Sequence, residues 1–377
     1  MAEVIGRGRT GVVGAAFLVV VGFALAACAP DGADDGGSAT TPVDAAAPAP
    51  DTEVIAEGLE APWAIVFVDG VALVSERDSA RVLELDLESG DEGDESDDDG
   101  GGRSREIGRI EGVSVGGEGG LLGLAVQGRE LYSYSTAADG NRVERRQILG
   151  APGSLELGVP ETVIERIPSA GNHNGGRIAF GPDGMLYVTA GDAGDRESAQ
   201  DPAALSGKIL RLTPEGEVPD DNPFPGSPVY SLGHRNPQGI AWDAAGTMYA
   251  SEFGQDTWDE LNIIEPGGNY GWPIVEGVAG DDDFIDPVQQ WEPSAASPSG
   301  IAVDDGAVYI ANLRGERLRV VPIDDLGAAS EWFVGEYGRL RDVVVAPDGT
   351  LWILTNNTDG RGDPRSGDDR ILRLDLD

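Results

Sequence analysis

Lysine is almost missing from this chain of 377 residues: Lys208 is the only one, and the 26 basic residues face 67 acidic ones for a net charge of −41. A surface so acidic repels polyanions, which excludes nucleic acid and anionic lipid headgroups as partners. Cysteine is as scarce, with Cys28 alone, so no intramolecular disulfide can form. Histidine occurs only as His173 and His234. Long apolar runs are also lacking: apart from Val12 to Ala27, nothing is long enough to span a bilayer.

That one run follows Arg7 and Arg9 and ends in Leu25-Ala26-Ala27-Cys28. A positive start, a short apolar core and a small-small-Cys ending read as a lipoprotein signal peptide over residues 1–27, with Cys28 taking the lipid; the alternative is a plain signal peptide with an incidental cysteine. Residues 28–52 are mostly Asp, Gly, Ala, Thr and Pro and read as a disordered linker. The expected location is therefore extracytoplasmic, on the outer face of the cell membrane, held by the lipid anchor only. Residues 53–377 form the body, interrupted by an acidic loop insert at 90–105 whose densest part is DEGDESDDDG. Asp97, Asp99, Gly100 and Glu106 approach a calcium-loop spacing counted from Glu95, but the first position is not Asp and no helical pattern flanks it, so the insert reads as a solvated loop.

One short pattern recurs along the body: an apolar strand, a turn usually built on Asp-Gly, a second apolar strand, then a polar residue. It occurs six times, from Trp63, Leu122, Arg177, Gly239, Gly300 and Asp342. Each interval leaves room for two further strands, with third strands expected at Arg81 to Leu87, Val143 to Leu149, Lys208 to Leu212, Leu261 to Ile264, Leu318 to Ile323 and Ile371 to Leu376. The fold class expected is all-β, a six-bladed β-propeller of four-stranded blades. Glu53 to Ala56 precede the first copy without a partner, and the last copy lacks a fourth strand, so the N-terminal strand closes the last blade. Two stacked β domains are the competing reading.

The repeat register gathers side chains without further assumption. Residues just before the first strand and just after the second meet at one mouth of the disc. This collects Pro62, Glu76, Glu118, Asn172, His173, Asp192, Arg235, Asn236, Glu252, Asn312, Arg314, Arg339, Arg341 and Asn356. Both histidines lie in glycine-bearing loops, Asn172-His173-Asn174-Gly175-Gly176 and Gly233-His234-Arg235-Asn236-Pro237. An imidazole there can give and take protons near neutral pH, or merely bond within its turn. Asp192, at the end of the same hairpin as His173, is placed to hold its ring in one tautomer. Arg235, Arg314, Arg339 and Arg341 suit the carboxylates of a small polyanion, or else pair with surplus acidic side chains.

The motifs GGLLGLA (from Gly119), HNGGRIAFGPDG (His173), GKILRL (Gly207), GHRNPQG (Gly233), SEFGQDTWDELNII (Ser251), GGNYGWP (Gly267), LRGERL (Leu313) and GRLRDVVVAPDG (Gly338) resemble, in order from Glu57 to Leu374, the soluble glucose and aldose sugar dehydrogenases that depend on pyrroloquinoline quinone (PQQ). The resemblance implies a six-bladed propeller oxidising the anomeric carbon of aldoses to lactones and passing electrons to an external acceptor. By it, His173 takes the proton of the anomeric hydroxyl while hydride passes to the quinone's C5, Asp192 orients His173, and Arg235 polarises the quinone carbonyl. Asn236, Arg314, Arg339 and Arg341 hold the cofactor, and a calcium ion sits on the backbone carbonyls of Gly254 and Gln255. Asn172 and Trp291 face the sugar. Glu118 stands at a cofactor-side position where glucose enzymes carry glutamine, Asn172 replaces an aspartate, Arg314 a lysine and Gln255 a proline. Two other classes remain open on the residues: a calcium-dependent propeller lactonase, and a non-catalytic extracytoplasmic binding propeller.

Overall fold

The computed structural model describes residues 49–86 and 103–376. The leader, Cys28, nearly all of the linker and residues 87–102, which take in most of the acidic insert, lie outside the described residues. The far end of that insert differs from expectation, because Arg103 to Arg105 belong to a strand.

Six antiparallel sheets follow one another along the chain. Strand β1 (Thr52–Ala56) leads into blade I, made of β2 (Pro62–Val68), β3 (Val71–Glu76), β4 (Arg81–Asp86) and β5 (Arg103–Arg109). Blade II is β6 (Leu121–Gln127), β7 (Glu130–Ala137), β8 (Gly140–Leu149) and β10 (Glu161–Ile167), with the two-residue β9 (Glu156–Leu157) added on β8. Blade III is β11 (Ile178–Phe180), β12 (Leu186–Ala190), β13 (Lys208–Leu212) and β14 (Val229–Leu232), with a 3-10 helix at Arg196–Gln200. Blade IV is β15 (Pro237–Trp242), β16 (Met248–Glu252), β17 (Asp259–Ile264) and β18 (Gln289–Trp291). Blade V is β19 (Pro298–Asp304), β20 (Ala307–Asn312), β21 (Arg317–Pro322) and β22 (Ser330–Trp332). Blade VI is β23 (Leu340–Val345), β24 (Leu351–Thr355) and β25 (Ile371–Leu374), and its fourth strand is β1, which pairs antiparallel with β25.

The first strands of successive blades pack side by side, β2 on β6, β6 on β11, β11 on β15, β15 on β19, β19 on β23, and β23 back on β2. That circuit is a closed propeller. The hairpins are set by local chemistry: Asp69-Gly70 joins β2 to β3 and Asp305-Gly306 joins β19 to β20, all four with positive φ. Two such residues make the turn whose twist matches the strands it connects. Each blade is covered on both faces, so its inner strands read as apolar runs rather than alternating ones. Tyr187 and Ile209 of blade III pack with Ile240, Met248 and Ala250 of blade IV. Ile65 and Val74 of blade I pack with Trp352 and Leu354 of blade VI. Each such side chain removed from water contributes about 1.5–3 kcal/mol, and the contacts at the I–VI seam hold the ring shut.

Candidate active site

His173 stands in the loop before β11 and Asp192 in the loop after β12, so the hairpin of blade III delivers both to one end of the disc. His173 Nδ1 lies 2.7 Å from Asp192 Oδ1. Asp192 is fully buried and also accepts the Trp272 indole N–H on Oδ2 at 2.9 Å and the Gly194 N–H on Oδ1 at 2.7 Å. Burial alone would raise this carboxyl, but the bonds from His173, Gly194 and Trp272 outweigh it and hold it below the usual carboxylate value. An ionised Asp192 only accepts, so Nδ1 of His173 is the donor, and in the neutral ring Nε2 carries the lone pair. Asn172 Nδ2 sits 3.2 Å from that Nε2. The His173 backbone is itself in the left-handed region, φ 54°, pinned by Ala193 N–H on its carbonyl and by the Glu118 carboxylate on its own N–H at 2.8 Å.

His234 is the opposite case. Glu252 takes its Nδ1 and Ser231 its Nε2, each at 2.8 Å, and its ring stacks on Tyr270 in full burial. It locks the loop that presents Arg235 and Asn236, whose N–H groups both donate to Glu252 Oε1.

The arginines group differently from expectation. Arg339 and Arg341 lie together, Arg339 Nη2 at 3.1 Å and Arg341 Nη2 at 3.9 Å from Asp359 Oδ2. Two arginines not singled out from the sequence, Arg77 and Arg177, complete this group. Burial pulls the Arg341 guanidinium down to about 9; Asp359 pulls it back, while Arg339, Arg77 and Arg177 push it further down. Arg177 crosses from blade III to Asp342 of blade VI at 2.9 Å and lies over the Trp63 ring at 4.3 Å. Arg235 stands apart, bonded to Gln255 Oε1 and the Phe253 carbonyl and lying 5.5 Å from the Trp272 ring centre. Burial lowers its pKa against the pull of Asp192 and Glu252. Arg314 is exposed.

A narrow polar cavity lies among Trp63, Arg77, Glu118, Asn174, Gly175, Gln238, Phe253, Leu313, Arg341 and Arg361. Around it Asn236 Nδ2, Arg177 Nη2 and Arg339 Nε are buried without a partner. Each unmade bond of this kind costs on the order of 1–3 kcal/mol, and all three are donors, so the surroundings of the cavity hold a surplus of donors over acceptors. Guanidiniums crowded by one another add a preference for an anion. The cradle thus fits a small polycarboxylate.

At the other expected positions the outcome is mixed. Around Gly254 and Gln255, Glu276 Oε1 collects the N–H groups of Gln255, Asp256, Thr257 and Trp258. Among the described residues no donor reaches the carbonyls of Gly254 and Gln255, so both remain open to a hard cation. Trp291 is on the outer strand of blade IV, where Arg319 lies 4.3 Å from its ring centre, and does not touch His173. The tryptophan in contact with the His173–Asp192 pair is Trp272, from the GGNYGWP segment. Arg77 directly follows β3 at this mouth, whereas Trp272 and Arg361 come from within the β17–β18 and β24–β25 loops, whose paths the register of the strands does not give.

Comparison with known proteins adds a family. The family described as Glucose / Sorbosone dehydrogenase matches residues 59–363 of this chain. Aldose sugar dehydrogenase YliI of Escherichia coli is 31% identical over 361 residues, 84% of this chain and 92% of that one. Quinoprotein glucose dehydrogenase B of Acinetobacter calcoaceticus is 30% identical over 272 residues, 62% of this chain and 54% of that one. Among solved structures, the PQQ-bound aldose sugar dehydrogenase of Streptomyces coelicolor has a TM-score of 0.80 and 48% identity, covering 87% of this chain and 99% of that one.

Proposed function

Because the chain belongs to the glucose / sorbosone dehydrogenase family and is an enzyme of the quinoprotein aldose dehydrogenase type, we propose that it oxidises the anomeric carbon of aldose sugars to lactones with PQQ and calcium, and passes the electrons to an external acceptor. The observation that carries this is the His173–Asp192 pair, with Nε2 free of any carboxylate, at the same mouth as the arginine-lined cavity.

His173 Nε2 accepts the proton of the anomeric hydroxyl, which takes over the place of the Asn172 amide N–H. The imidazolium formed is held by Asp192, which stays ionised because its donors keep its pKa low. When bound, the quinone supplies a two-electron acceptor for the hydride, and calcium on the carbonyls of Gly254 and Gln255 supplies Lewis acidity. Arg235 provides fixed positive charge where negative charge grows. Asn236, Arg339 and Arg341 hold the cofactor's acidic oxygens; Arg314 is assigned to the open rim, and Asn172 to the sugar.

The test is direct. The purified protein, supplied with PQQ and Ca²⁺, is expected to reduce a dye acceptor with aldoses and to retain quinone absorbance after desalting. The His173→Ala variant is expected to keep the absorbance and lose at least about 10²-fold in kcat. No activity with any aldose and no retained quinone would reject the reading; lactone hydrolysis needing metal alone would make the chain a hydrolase instead. We also place the protein on the outer membrane face through a lipid on Cys28, for which labelled fatty acid should enter the wild type and not Cys28→Ser.

A further inference from the structure

Glu118 puts a negative charge at the rim of a cavity built for an anion, and its surroundings explain how that is tolerated. The carboxylate is divided between two blades. Oε2 accepts the His173 backbone N–H at 2.8 Å, and Oε1 accepts Arg361 Nη1 at 3.2 Å from the loop that follows β24, 243 residues along the chain. The Glu118 loop is seated on the His173 loop, since Glu118 N–H bonds the Gly171 carbonyl at 3.0 Å. A Cβ on Gly117 would lie 2.0 Å from that same carbonyl, so the approach requires glycine. Arg361 is held in turn: its N–H bonds Asp359 Oδ1 at 2.9 Å, and Asp359 Oδ2 takes Arg339 at 3.1 Å. One bonded chain therefore runs from the His173 peptide through Glu118, Arg361 and Asp359 to the buried arginines.

We propose that Glu118 and Arg361 work as a single charge-neutral clasp, in which Glu118 is a positioning residue for His173 and Arg361 is the counter-ion that lets a carboxylate sit beside an anionic cofactor. The inference rests on the dehydrogenase reading above and adds a residue that it does not use. The Glu118 side chain is 17% exposed and that of Arg361 is 46% exposed, so the pair contributes little to stability. Its effect is on the field in the cavity and on the angle at which the base is held.

The two roles separate by substitution. Glu118→Gln keeps an acceptor for the His173 N–H and removes the charge; Glu118→Ala removes both; Arg361→Gln leaves the carboxylate uncompensated. In titrations of the apo protein with PQQ, Arg361→Gln is expected to weaken binding about ten-fold, and the double variant Glu118→Gln/Arg361→Gln to return to within about two-fold of wild type. In sugar oxidation at saturating PQQ, Glu118→Ala is expected to lower kcat about ten-fold with little change in the KM for sugar, and Glu118→Gln to restore it. Because the chain has two histidines, ¹⁵N-histidine labelling yields two amide signals. The His173 amide proton should move upfield in Glu118→Ala, while that of His234 stays in place. Equal PQQ affinity for wild type and Arg361→Gln, additive effects in the double variant, or an unmoved His173 amide in Glu118→Ala would overturn the clasp. If wild type binds no PQQ, the dehydrogenase reading fails, and the amide shift still decides whether Glu118 positions His173.

Discussion

Asp192 is a fully buried carboxylate that owes its charge to its three donors. Its folded pKa lies below that of the unfolded chain, so its contribution to stability is complete above the unfolded value of about 4 and is lost as pH falls from there through the lower folded value. Asp192→Asn is expected to flatten this part of the acid limb when unfolding free energy is measured against pH. In the same variant the amide can turn its NH₂ toward His173 Nδ1 and impose the wrong tautomer, so kcat should fall on the order of 10³-fold with cofactor binding intact. A variant with near-normal kcat would remove Asp192 from the mechanism. At this scale the sequence was partly legible. His173 and Asp192 followed from hairpin ends because a strand pair carries its end residues to fixed places. Trp272 and Arg361 did not, because each reaches the site from a loop whose path no periodicity encodes.

At the scale of elements, the hairpins and their order were legible because each blade is a local unit with its turn chemistry written beside it. The contacts between blades were not. Gly300, at the start of β19, shows why: a Cβ there would lie 1.9 Å from Asp342 Oδ1 on β23 of the next blade. Asp342 cannot retreat, being held by Arg177 at 2.9 Å and by the Ile65 N–H at 3.2 Å. Gly300→Ala should therefore cost about 3 kcal/mol in chemical denaturation, and an unchanged midpoint would show that the blades can shift apart. Lys208 makes the same point from the polar side. The chain's only lysine is buried under the carbonyls of Ser198, Ala199 and Ser206 at 2.7, 2.9 and 2.8 Å, tying down the 3-10 segment beside Asp192. Burial pushes its pKa down to about 8. Rarity made it visible in the sequence; only the fold showed that it is internal.

For the whole molecule, closure rests on β1. Its pairing runs from Thr52 opposite Leu374 to Ala56 opposite Ile371, joining the start of the propeller to its end. Deleting residues 1–57 should expose β25 as an open edge, lower the melting temperature and promote association, read by scanning calorimetry and light scattering. A monomer melting like the full chain would show that the ring closes without it. The number of blades, the strand that shuts the last of them and the loops that face one mouth were already fixed in the linear chain, because they follow from short-range apolar patterning and turn residues repeated along it. Which charges of different blades meet was settled only by the fold: Arg177 with Asp342, Arg361 with Glu118, and Arg77 beside Arg339 and Arg341. Those pairings join residues from different blades, neighbouring or opposite, and their partners are selected by ring geometry and burial, for which a linear pattern carries no signal.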